Sequence, residues 1–447
     1  MVTLDHLTAL LMVSAVRRPV SAEKRSRRGD RVTHLLQGLA LIAASILVAL
    51  FISEASLRLA GISYPSFYTA DRYCGSALRP GASGWWRKEG LSYVHINSDG
   101  LRDREHSIRK PANTVRIAVL GDSFAEAFQV SMQNAFWAEM ERRLAACKPL
   151  SGKKVEAISF GVCGYGTAQE LEMLRHRAWK YSPDMVLLAV TTANDIRNNS
   201  RQLEQDEMRP YFVVRDGRLI LDDSFLSSTK YRFHLSYPWR ILEKLIPYSR
   251  VIQSLNEAKN VWAAKRWAAR MRFALPRSSP QGYDGPELGL DEAVFKRPTD
   301  PAWRDAWDVT DRLLLAMHHE VVAGGAKFLV VTLTTGEQTN PDPRIRTQFM
   351  KSLGVSDLFY PDLRIKALGE QDHFEVLNLG QPFQTYAEQH RVYLHGFPNL
   401  GLGTGHWNLE GHRLAGEMIA DKLCRMFEPP RELSKPPWAD HSATTVR

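Results

Sequence analysis

From residue 115 onward the chain alternates between short, β-rich apolar runs and longer stretches with helical spacing. Val115–Leu120 (VRIAVL), Val155–Phe160 and Met185–Thr191 (MVLLAVT) are the first three runs; Ala326–Leu333 (AKFLVVTL) and Phe374–Leu379 (FEVLNL) are the fourth and fifth. The third is almost continuously apolar, as in a strand covered on both faces. Helical patterns lie between and after them: an amphipathic stretch to about Ala146, then Ala168–Tyr181, Asp300–Ala323 and Leu409–Met426. Strands alternating with helices predict an α/β fold, a five-stranded parallel sheet covered by helices in three layers. Ligands in such sheets bind beyond the carboxyl ends of the strands.

Two regions depart from this rhythm. Residues 54–114 are rich in Gly, Pro and aromatics, show no sustained period, and read as an irregular lead-in to the 115–427 domain. The interval of about 199–299, after strand three, is too long for a plain connection. It holds a hairpin pattern (Tyr211–Val214, Asp216-Gly217, Arg218–Leu221) and helix-like material from Pro238 to Phe273. It reads as an insertion, either a lid beside the site or a packing elaboration. The tail, residues 428–447, is Pro-rich and polar, as loose chain ends are.

Ahead of the lead-in, residues 35–53 begin with about 18 uncharged residues (LLQGLALIAASILVALFI), near the minimum for a helix that crosses a bilayer. A cleaved signal peptide is the alternative, although its apolar region is usually shorter and ends in small residues. The preceding segment, residues 1–34, is dense in Lys and Arg from Arg17 to Arg31. By the positive-inside rule it stays in the cytoplasm. Everything after residue 55 would then face the periplasm or the cell exterior, tethered to the inner membrane by one span.

The formal net charge of +9 is concentrated in that segment and around Lys259–Arg277. It points to anionic lipid or polysaccharide as neighbours. No nucleic-acid-binding module accompanies it, so nucleic acid is not an expected partner. The four cysteines, Cys74, Cys147, Cys163 and Cys424, form no CxxC pair. Neither a zinc ribbon nor a thioredoxin-like site is suggested, and no metal or organic cofactor is expected.

Four polar motifs follow the strands or precede the last helix. Gly121-Asp122-Ser123-Phe124 closes strand one and opens a helix, where a serine oxygen is exposed beside the free N–H groups of the helix start. Taken alone it is equally a helix cap, because Asp and Ser favour such positions. Ser159-Phe160-Gly161-Val162-Cys163-Gly164-Tyr165-Gly166 follows strand two, its glycines permitting close backbone approach to a reacting oxygen. Thr192-Ala193-Asn194-Asp195 follows strand three and offers a side-chain amide. His406-Trp407-Asn408-Leu409-Glu410-Gly411-His412 comes just before the last helix, with His406 in a polar, Gly-rich loop (GLGTGHWN), and supplies a base that titrates near neutrality.

In this order and on these elements, the four motifs resemble those of the SGNH hydrolases, a subgroup of the GDSL esterases and lipases. The likeness spans about residues 95–427, apart from the insertion. The lead-in sequence HINSDGLRD is similar to that of SGNH proteins with an N-terminal membrane helix. The resemblance implies a flavodoxin-like sheet, Ser123 as nucleophile and His406 as base. It also implies an oxyanion hole made by the Ser123 N–H, the Gly164 N–H and the Asn194 side chain. Asp122 and Asp195 would order their loops. Cys147 and Cys424 lie near the ends of the first and last helices of the sheet domain, which often pack side by side in this fold. Either a disulfide joins them or both stay free thiols.

One departure matters. The family places an Asp three residues before the catalytic His, and here that position is Gly403, with Thr404 next. The acid of a triad is therefore missing from its usual place. Three outcomes follow: a Ser–His dyad oriented by a backbone carbonyl, an acid from elsewhere such as Glu410 or Asp372, or lost catalysis. A dyad would leave the imidazole pKa near or below its ordinary value. The function implied is hydrolysis of an O-acyl, most simply acetyl, ester on a cell-envelope glycan or a small ester, through an acyl-enzyme. Transfer of the acyl group to a sugar hydroxyl, as in alginate-acetyltransferase-type SGNH domains, and non-catalytic glycan binding remain as alternatives.

Overall fold

A computed structural model describes residues 20–274 and 291–428. Residues 1–19, part of the insertion (275–290) and the tail from 429 lie outside the described residues. The chain divides into two compact units, the long N-terminal helix with Ser249–Val251 and the remainder.

In the first unit a single helix runs from Val20 to Leu59. Its portion Thr33–Leu59 is long and apolar enough to cross a membrane, with mean hydropathy 2.5. The helix is longer than residues 35–53 because Glu, Arg and Ala at both flanks favour helix, so it continues through polar sequence. Glu54 accepts hydrogen bonds from Ser249 Oγ and Val251 N–H, each at 3.1 Å.

The second unit opens with order rather than irregularity. The lead-in forms two antiparallel hairpins, β1 (Tyr68–Asp71) with β2 (Gly75–Leu78) and β3 (Ser83–Trp86) with β4 (Ser92–His95). Strands of four residues are too short to announce themselves by alternation.

The central sheet follows the apolar runs closely: β5 (Thr114–Gly121), β6 (Lys154–Ser159) and β7 (Met185–Thr191). The insertion contributes the expected hairpin, β8 (Tyr211–Arg215) with β9 (Arg218–Asp222). The sheet then resumes with β10 (Lys327–Leu333) and β11 (Glu375–Asn378). A last hairpin, β12 (His395–Phe397) with β13 (Gly401–Trp407), precedes the final helix, Leu409–Met426.

All five sheet strands are parallel, in the spatial order β11-β10-β7-β5-β6. Counted along the sheet's own strands this is 2-1-3-4-5, the flavodoxin-like arrangement, whose switch point lies beyond the carboxyl end of the first strand. Ser123 sits there. Alternate residues feed two separate cores: Ile117, Val119, Leu187 and Ala189 face one, and Ala118, Leu120, Val186 and Leu188 the other. Each core is closed by helices, which accounts for the three layers.

The stretch after strand one is broken into two helices, Ser123–Glu126 and Phe136–Leu144, rather than running on to Ala146. Helices Pro343–Leu353, Tyr360–Asp372 and Gly380–His390 fill the interval between β10 and the final hairpin. Arg312, on the helix Pro301–Ala323, donates to Gly217 O at the tip of β8–β9 (3.0 Å) and fixes that hairpin against the outer helix. Cys147 and Cys424 are bonded, their Cα atoms 5.7 Å apart and 277 residues separated in sequence. Cys74 is a buried free thiol and Cys163 an exposed one.

Candidate active site

The turn that presents Ser123 is built on Asp122. Its Oδ1 accepts from Phe124 N–H (3.0 Å) and from the Thr191 hydroxyl (2.9 Å), and its Oδ2 accepts from Asn194 Nδ2 (3.1 Å). One carboxylate thus caps the helix that begins at Ser123 and ties the ends of β5 and β7 together. Asp195 accepts from Thr191 N–H (2.8 Å) and orders the same turn. Both carboxyls are held above the usual range, chiefly by burial. At its far end, the short helix is gripped by fully buried Arg102, which donates to Glu126 O (3.1 Å) and Val130 O (2.5 Å). Ser123, the first residue of the helix, keeps an N–H that no helical carbonyl can satisfy.

His406 lies on β13, not in a loop. Its Nε2 is 2.7 Å from Ser123 Oγ and its Nδ1 is 2.5 Å from Glu89 Oε2. The second oxygen of Glu89 accepts from the His406 backbone N–H at 2.7 Å. Two bonds to one residue fix both ring orientation and tautomer: Nδ1 carries its proton toward the carboxylate, and Nε2 is left to accept from the serine. Burial alone would lower the His406 pKa. The hydrogen bond and charge of Glu89, followed by Asp122 and Glu126, outweigh it and raise the pKa above its ordinary value. For Glu89, burial opposes ionisation, and the three interactions with His406 win and hold its pKa low.

The hairpin around His406 is shaped for this contact. Gly405 has φ +76°, and a Cβ there would lie 2.3 Å from Glu89 Oε1, so the carboxylate occupies the space of a missing side chain. Gly403 has φ +88°, and a Cβ would press on the Tyr393 ring at 2.9 Å. An Asp at the family's usual position would therefore be strained here. Behind the ring, Trp407 and His395 both hydrogen-bond the Thr334 hydroxyl, at 2.8 Å each, and His395 Nδ1 meets Gly405 O at 2.7 Å. Burial pushes His395 down to about 4, so it supports the hairpin as a neutral ring.

The second block forms a turn against the helix that begins at Ser123. Cys163 N–H donates to Glu126 Oε1 (3.2 Å), and the Tyr68 hydroxyl reaches both oxygens of that carboxyl at 2.9 Å. Burial pushes Glu126 up to about 8. Gly164 adopts φ +77°, and its carbonyl accepts from Arg209 and from Asn198 Nδ2. Asn194 spends one amide hydrogen on Asp122 and has a second to offer.

Ser123 and His406 are thus brought into direct contact, and Asn194 is tied to the residue preceding Ser123. The guessed acids are elsewhere. Glu410 bonds Tyr386 (2.5 Å) and Arg413 (2.6 Å) on the flank of the last helix. Asp372 ends the helix Tyr360–Asp372. Neither reaches His406, whose carboxylate partner comes from the lead-in 317 residues upstream. Nothing in the local spacing marks Glu89. The one usable signal is negative, the glycine at position 403. His412 is fully buried, with Nδ1 accepting from Phe136 N–H at 3.3 Å, and plays no part in the contact with Ser123.

No family model and no curated protein matches the sequence. Among solved structures, a lipase/acylhydrolase from Enterococcus faecalis is similar at 12% identity and TM-score 0.32, over 70% of this chain and 98% of that one. A GDSL-like lipase from Bacteroides thetaiotaomicron is similar at 11% identity and TM-score 0.30, over 72% and 92%. An acetylxylan esterase from Geobacillus stearothermophilus, solved as a catalytic mutant, is similar at 12% identity and TM-score 0.33, over 70% and 94%. At this degree of similarity, what the site can do follows from its own geometry.

Proposed function

We propose that this chain is a serine esterase in which Ser123, His406 and Glu89 form a catalytic triad. The observation that carries the reading is the unbroken line of hydrogen bonds from Ser123 Oγ through the imidazole to Glu89. Ser123 Oγ attacks the acyl carbonyl as its proton passes to His406 Nε2, and Glu89 stabilises the imidazolium that results. The oxyanion forms opposite the Ser123 N–H, the Gly164 N–H and the second hydrogen of Asn194 Nδ2, where a placed donor is worth roughly 3–4 kcal/mol. Collapse expels the alcohol, which takes the proton from His406. Water, deprotonated by the same Nε2, then attacks the acyl-serine and releases the carboxylic acid and free Ser123.

The substrate class is an O-acyl ester, most simply acetyl, on a cell-envelope glycan or a small molecule. The helix Thr33–Leu59 anchors the enzyme in the inner membrane with its basic flank in the cytoplasm, so the catalytic unit works outside it. The Cys147–Cys424 bond agrees with an oxidising compartment. A fluorophosphonate probe should label the wild type and leave Ser123→Ala unlabelled, with ester hydrolysis lost and folding kept. Residual hydrolysis in Ser123→Ala within tenfold of wild type would sink the assignment. Free acetate, rather than a newly acetylated sugar, should be the product when an acetylated glycan is supplied together with an acceptor glycan.

A further inference from the structure

Glu89 occupies an exposed kind of position, the five-residue connection between β3 and β4, with Lys88 and Leu91 beside it open to solvent. A two-stranded hairpin on its own is marginal. Its strands are secured by fully buried Val94 and by the Ser92 hydroxyl, which donates to Phe128 O at 2.5 Å. Neither of these contacts reaches the tip. At the tip, Trp86 Nε1 donates to Glu89 O at 3.0 Å and Lys88 pairs with Glu257 at 2.9 Å, and the opposite hairpin adds a side chain that bonds the backbone on both sides of Glu89. Asn399, in the connection between β12 and β13, accepts from Gly90 N–H through Oδ1 at 3.0 Å. Its Nδ2 donates to Gly90 O at 3.1 Å and to Arg87 O at 3.2 Å. The amide therefore uses its acceptor and both donors on the backbone that brackets Glu89.

We propose that Asn399 is the positioning residue for Glu89, an amide clamp that docks the acid-bearing loop onto the hairpin that carries His406. The inference rests on the reading of Ser123, His406 and Glu89 as a triad. Because β12–β13 holds both the base on β13 and the clamp in its turn, the acid is registered against the ring it must orient. Without the clamp, the Glu89 carboxylate itself becomes the main bond between the loop tip and β13, and it must hold the loop as well as orient the imidazole.

The test uses the full chain and two substitutions. Asn399→Ala removes all three bonds. Asn399→Asp keeps the acceptor for Gly90 N–H but turns a carboxylate toward the Gly90 and Arg87 carbonyls. Both should lower kcat roughly 10- to 100-fold, the cost of a misplacement of about 1 Å, with KM nearly unchanged. In both, the imidazole titration of His406 followed by NMR should move down toward that of Glu89→Gln. Thermal unfolding identifies a variant that fails to fold, and the other then decides. A melting shift with kcat and the His406 titration both unchanged would overturn the proposal, as would a lower kcat with an unmoved titration. If the wild type hydrolysed no ester, the esterase reading would fall, while the His406 titration would still decide the clamp.

Discussion

Glu89→Gln is the sharpest perturbation of this site, because the two oxygens of the carboxylate have different duties. Oε1 accepts from the His406 backbone N–H at 2.7 Å, and Oε2 faces Nδ1 at 2.5 Å. In the amide, the carbonyl oxygen is needed at the first position, since an N–H there would meet another N–H. The NH₂ is then forced toward Nδ1, which must become an acceptor, and the proton moves to Nε2. A protonated Nε2 cannot take the proton of Ser123. The same replacement of a triad acid costs about 10⁴ in kcat, or about 5 kcal/mol of transition-state stabilisation. The sign of the pH effect follows from the same contact. Hydrolysis needs neutral His406, whose pKa in the wild type is raised above 6.5, so activity should rise with pH along a limb centred above that value. Removing the Glu89 charge leaves burial as the leading influence, and the limb should move down. The assay is kcat against pH for a chromogenic acetate ester in both proteins, with unfolding monitored alongside. A plateau kcat within tenfold of wild type, or a limb that stays in place, would refute the assignment of Glu89.

Three further outcomes are expected. Asn194→Ala should lower kcat by roughly 10²–10³ with little change in KM, and a change confined to KM in steady-state kinetics would make it a ground-state contact. Glu410→Gln and His412→Ala should keep the pH–rate profile. His412, pushed down to about 3 by burial, should cost unfolding temperature instead, and loss of the limb in either variant would misplace the base. Replacing both Cys147 and Cys424 by Ser should destabilise the catalytic unit by up to about 5 kcal/mol, as the chain-entropy model allows for a loop of this length. Equal urea midpoints for the two proteins would show that the bond contributes nothing.

The sheet was legible because each of its strands is a compact apolar run. Met185–Thr191 is bounded in the structure where its apolar character begins and ends, and Leu409–Met426 likewise. The serine and the histidine were legible because each abuts such an element. Glu89 was not, for two physical reasons. The strands beside it have four residues each, too few for a period. Its partner is 317 residues away, a separation that no local pattern encodes. His406 was read as part of a loop because glycines dominate Gly401–Gly405, yet those glycines let β13 pair with β12 while leaving space for a carboxylate. The N-terminal helix runs past residues 35–53 at both ends, since apolar character marks where a helix is greasy and not where it stops.

On the proposed triad, the 317 residues that separate Glu89 from His406 in sequence also make catalytic competence a late event in the life of the chain. The serine turn is local and can form as soon as the first strands pair, but its base and the carboxylate that orients the base arrive from opposite ends of the catalytic unit. A chain still emerging, whose β12–β13 hairpin has yet to form, holds a serine with no imidazole beside it. Esterase activity in this architecture therefore reports that folding has been completed, and a half-built molecule is kept from acylating itself or its neighbours.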